Sequence, residues 1–131
     1  MSTDRAHDAR FYAVLGWGAV VSSTLAWASH LVFSAAWAVE GGRTRAGAGA
    51  TCGHGVTWPL HVATAVTAAV CVAALAVASI VYRHRGDAPS GGDSLDAQLR
   101  FLGLLGLGTA SVNLLLILVE GSYVFFLRSC G

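Results

Sequence analysis

The chain reads as all-α: an integral membrane protein forming a single three-helix bundle. Two observations carry that prediction. Charged residues make up only 11% of the 131 residues, while hydrophobic ones reach 55%. An average soluble domain carries about 25% charge, so these few charges cannot cover the surface of a small soluble globule. The charges are also clustered. No Asp, Glu, Lys or Arg occurs between Arg10 and Glu40 or between His54 and Arg83, and only Glu120 interrupts the stretch from Arg100 to Arg128. A membrane-spanning helix needs about 20 apolar residues, and each gap is long enough. Disorder is excluded by the high hydrophobicity, and a net charge of +1 leaves no basic footprint for nucleic acid.

The first span is placed at Tyr12–Val39. Ala36-Trp37-Ala38 fits a small-x-small cleavage pattern, but the apolar stretch far exceeds the 7–15 residues typical of a signal-peptide core, so it is read as retained. The segment Glu40–Gly55 is rich in glycine and is expected to be a loop. The second span is placed at Val56–Tyr82, with Pro59 in its first turn, where the missing N–H is tolerated. Thr64–Tyr82 has no polar face, which argues against a helix at a soluble surface. Arg83–Asp93 is expected to be a second loop. The third span is placed at Leu99–Leu127. Asp93 or Ser94 can cap its helix, and Asp96 suits the first turn.

Arginine sets the expected direction. Arg5, Arg10, Arg83, Arg85 and Arg100 fall on one side; Arg43, Arg45 and Arg128 fall on the other. Five against three favours a cytoplasmic N-terminus and an outward C-terminus, in an inner (cytoplasmic) membrane. Trp37, Trp58 and Tyr123 would mark the outer interface; Tyr12, Tyr82 and Phe101 would mark the inner one.

Among three cysteines, Cys71 lies mid-span and reads as a small packing residue. Cys52 and Cys130 share one aqueous side in a three-span chain. If that side is oxidising, a Cys52–Cys130 disulfide would tie the first loop to the C-terminus. Two free thiols, or a copper or zinc site built on Cys52 and His54, are the other readings.

Ionisable groups inside a membrane are functional candidates by default. His30, His61 and Glu120 lie at roughly 14, 8 and 11 Å from the outer span ends at the helical rise. Spacing aligns them further. Gly16, Val20, Ser23, Trp27, His30, Ser34 and Trp37 alternate steps of four and three, as do Gly106, Ala110, Asn113, Ile117, Glu120 and Val124. His61, Thr64, Ala68, Cys71 and Leu75 share a face of the second span. Turned inward, these stripes would gather His30, His61, Glu120 and Asn113 into one polar cluster. The preferred reading is structural, with Glu120 accepting a hydrogen bond from a histidine. The alternatives are a haem b held by His30 and His61, a metal in a His₂-carboxylate set, and contact between Glu120 and a partner chain.

Trp27-x-x-His30 in the first span, Cys52 in the outward loop, a late Glu120 in the third helix and Cys130 one residue from the end form a recognisable outline. In these features the chain resembles small three-span membrane proteins found with haem–copper cytochrome c oxidase subunits and their assembly factors. The resemblance covers most of the chain. It implies an accessory or assembly subunit of a respiratory-chain membrane complex, with that complex and membrane lipid as partners, and it implies no activity. No P-loop, GxSxG or HExxH pattern occurs, so no enzymatic role and no cofactor are expected.

Overall fold

The computed structural model describes residues 3–47, 58–86 and 94–126. Cys52, His54, Arg128 and Cys130 lie outside the described residues, and the expected disulfide with them. Three α-helices follow one another: α1 (Thr3–Gly47), α2 (Trp58–Gly86) and α3 (Ser94–Phe126). All three are long and apolar enough to cross a membrane, over His7–Glu40, Trp58–Arg83 and Ala97–Ser122. The chain is therefore a three-span membrane protein, and each helix packs against the other two.

The helix starts follow the expected signals. Pro59 is the second residue of α2, and α3 begins at Ser94. The helix ends correct two expectations. Glu40–Gly47 continues α1, and Arg83–Gly86 continues α2. Neither stretch contains proline, and no described glycine has positive φ. Glycine in a helix costs about 1 kcal/mol relative to alanine, which weakens a long helix without ending it. The conformation that would stop the helix, a left-handed residue, is absent from these described glycines.

The core is made of small residues in layers. Ala19, Ala74, Ala78 and Ala110 form one buried cluster, with Leu75, Val77 and Leu107 packed against it. Ala26, Cys71 and Ile117 form a second, flanked by Trp27, Ala68 and Leu114. The stripes expected on α1 and α3 face inward: Gly16, Ser23 and His30 are buried, as are Gly106, Ala110, Asn113 and Ile117. Alternating steps of three and four are the spacing of a coiled-coil seam. Glycine lets the backbones approach closely at one end. A Cβ at Gly103 would lie 3.2 Å from the Tyr82 backbone, and one at Gly106 would lie 3.1 Å from Ala78 Cβ. Without a hydrophobic drive between helices in lipid, such close packing is a main source of their attraction.

The outer faces are apolar. Val14, Val21, Leu25 and Val32 on α1, Val66, Val72 and Ile80 on α2, and Leu104, Val112, Leu115 and Val119 on α3 are all more than half exposed. In water this surface would drive aggregation. In a bilayer it is the lipid-facing surface.

Candidate functional site: an intramembrane polar layer

One register relates the three helices. His30 pairs with Glu120 and Ser23 with Asn113, each across a separation of 90 residues. On α2, Thr64 faces His30 and Cys71 faces Ser23. Each step between these two layers is seven residues on every helix, or about 10 Å of rise.

In the outer layer His30 is the hub. It is buried, with 2% exposure. Its Nδ1 lies 3.1 Å from Glu120 Oε2, and its Nε2 lies 3.0 Å from Thr64 Oγ1. Thr64 settles the proton arrangement. Its hydroxyl donates to the Leu60 carbonyl at 2.9 Å. A hydroxyl has one hydrogen, so toward the imidazole Thr64 Oγ1 accepts, and His30 Nε2 is the donor. Nδ1 and Oε2 then need one proton between them. Either an imidazolium donates to a carboxylate, or a protonated carboxyl donates to a neutral imidazole. Both forms are neutral overall. A neutral pair avoids the large penalty of a lone charge inside a membrane. Glu120 is the more open partner, with its side chain 30% exposed against 1% for His30.

Gly121 makes room for this layer. A Cβ there would come within 2.7 Å of Thr64 Cγ2. The second layer is weaker. Asn113 Nδ2 donates to Ser23 Oγ at 3.5 Å, Ser23 Oγ donates back to the Val20 carbonyl at 3.1 Å, and Cys71 Sγ approaches the Ser23 carbonyl at 3.9 Å. Trp27 Nε1 and Ser34 Oγ, which flank His30 along α1, are buried without a hydrogen-bond partner among the described residues.

The expected cluster is thus realised for His30 and Glu120, with Asn113 one layer away, and corrected for His61. His61 occupies an exposed position on α2. The α2 side chain that reaches His30 is Thr64. The reason is helical phase. The buried line of α2 runs through Cys71, Ala74, Ala78 and Val81. Continued backward in steps of three and four, it passes Thr67, Thr64 and Leu60, so His61 is rotated about 100° away from it. The sequence already showed Thr64 on the right face. Positions 64, 71 and 78 repeat at the same interval as 30, 23 and 16, but 61, 68 and 75 do so equally, so spacing alone does not separate Thr64 from His61.

This geometry bears on the ligand readings. Both ring nitrogens of His30 are bonded within the protein, so a haem iron or metal would have to displace Thr64 or Glu120. Among the described residues, no three His, Cys, Asp or Glu side chains are grouped to hold a metal ion. A shallow groove on α3, lined by Leu104, Leu105, Gly108, Thr109, Val112 and Asn113, is almost wholly apolar. No family model, curated protein or solved structure matches the chain.

Proposed function

We propose that the chain is a non-catalytic accessory or assembly subunit of a larger respiratory-chain membrane complex, of the cytochrome c oxidase kind. It would lie in the inner membrane with its N-terminus and the α2–α3 connection on the cytoplasmic side. The observation that carries the non-catalytic part is the closure of the polar layer. His30 spends both nitrogens on Glu120 and Thr64, which links three helices and leaves neither nitrogen for a substrate. The apolar outer faces supply surface for neighbouring helices. The respiratory assignment rests on the outline formed by Trp27, His30, Cys52, Glu120 and Cys130.

The test is extraction in a gentle detergent followed by identification of companions. Comigration with oxidase subunits on a native gel is the expected result. A chain that migrates alone or only with copies of itself would overturn the subunit reading. A Soret band near-stoichiometric with the protein would overturn the non-catalytic one in favour of haem b.

A further inference from the structure

We propose that the α2–α3 seam at the end of the bundle opposite the polar layer is a binding site for the phosphate of an anionic phospholipid, formed by Arg83 and Arg100 around Tyr82. Three observations converge there. Arg100 lies over the Tyr82 ring, 5.7 Å from its centre. That stack holds a long side chain in place against α2. Gly103, one turn further along α3, makes the contact possible, because α3 rests there on the Tyr82 backbone. Arg83 is the next residue of α2 and is exposed, as is Arg100, and neither has an ion-pair partner among the described residues.

Depth selects the ligand. From Thr64 to Arg83, and from Glu120 to Arg100, the helices rise about 28–30 Å. Arg83 is the last residue of the α2 membrane span and Arg100 lies in the first turn of the α3 span, which sets both at the boundary beside which the lipid phosphates lie. A guanidinium offers a planar fork of donors that matches phosphate oxygens. Two guanidinium forks from adjacent helices, with a tyrosine between them at interface depth, match a phosphodiester bearing net negative charge. Arg10 provides an internal comparison. The register that sets His30 opposite Glu120 also sets Arg10 level with Arg100, but on α1 rather than on either helix of the α2–α3 seam.

The experiment uses the full chain in neutral detergent. Retention of phosphatidylglycerol and of phosphatidylcholine is compared by native mass spectrometry, with helicity and melting temperature as folding controls. Phosphatidylglycerol should be retained in preference to phosphatidylcholine. Arg83→Gln and Arg100→Gln should each weaken it about fivefold, as expected for one surface arginine. Arg100→Lys should lose part of that amount, because charge remains without the fork. Arg10→Gln should change retention by less than twofold. If Arg100→Gln does not fold, Arg83→Gln, which removes no ion pair seen among the described residues, decides the matter alone. Equal retention of the two lipids, an equal loss from Arg10→Gln, or displacement of the lipid by equimolar inorganic phosphate would each overturn the proposal.

Discussion

The two ends of the bundle are held together by different physics. At Gly103 α3 rests on the Tyr82 backbone of α2, and at Gly106 it rests on the Ala78 side chain, with no glycine Cβ between them. Around His30 they meet through two hydrogen bonds that radiate from one imidazole to α2 and α3. The first end depends on shape alone and tolerates no added volume. The second depends on matched donors and acceptors, with Gly121 leaving room for the Thr64 side chain. In lipid both solve the same problem, since apolar side chains gain little by leaving lipid tails for each other.

The largest effect should come from the close-packed end. Gly103→Ala puts a methyl 3.2 Å from the Tyr82 Cα and N, and backbone atoms cannot swing aside. A loss of about 2 kcal/mol is expected, typical of overpacking, read as a lower midpoint in a detergent unfolding titration. Gly16→Ala is the paired control. There the added atom would meet Leu102 Cδ2 at 2.7 Å and Cγ at 2.8 Å, side-chain atoms that shift with a turn about the Leu102 Cα–Cβ bond, so the loss should be smaller. A larger loss at Gly16 would reverse the argument from backbone rigidity.

Next in size is the polar end. Glu120→Leu removes the partner of His30 Nδ1 and should lower stability by about 1–2 kcal/mol, near the upper range for hydrogen bonds between membrane helices. Glu120→Gln should lose less than half as much, because its amide can still donate to Nδ1 while Nε2 donates to Thr64. An unchanged melting temperature for Glu120→Leu would show that the layer does not hold the helices together.

The smallest effect is expected one layer inward. The Asn113 to Ser23 contact is long, at 3.5 Å, and Ser23 keeps its own back-bond to Val20. Asn113→Leu should therefore shift stability by no more than about 0.5 kcal/mol, within the average for such bonds. A loss equal to that of Glu120→Leu would mean that the two polar layers act as one network, which a double-mutant cycle with His30→Leu would reveal as coupling.

Much of this arrangement was legible in the residues. The spans followed from charge gaps, because hydropathy is a property of the linear chain and a bilayer imposes a fixed length on it. The inward faces of α1 and α3 also followed, since Ser23 with His30 and Asn113 with Glu120 fall on one side of each helix at the same seven-residue spacing. The helical stretches Glu40–Gly47 and Arg83–Gly86 were not legible, because glycine content lowers helix propensity without fixing where a helix ends. What only the tertiary structure decided was the rotation of α2. Apolar almost throughout, that helix has no polar face to set its phase, and His61 and Thr64 lie only one turn apart. The choice between them was made by the fit of Ala74, Ala78 and Val81 against the small residues of α1 and α3, ten or more residues away. A helix is rigid, so close packing at its far end fixes which of two polar side chains meets His30.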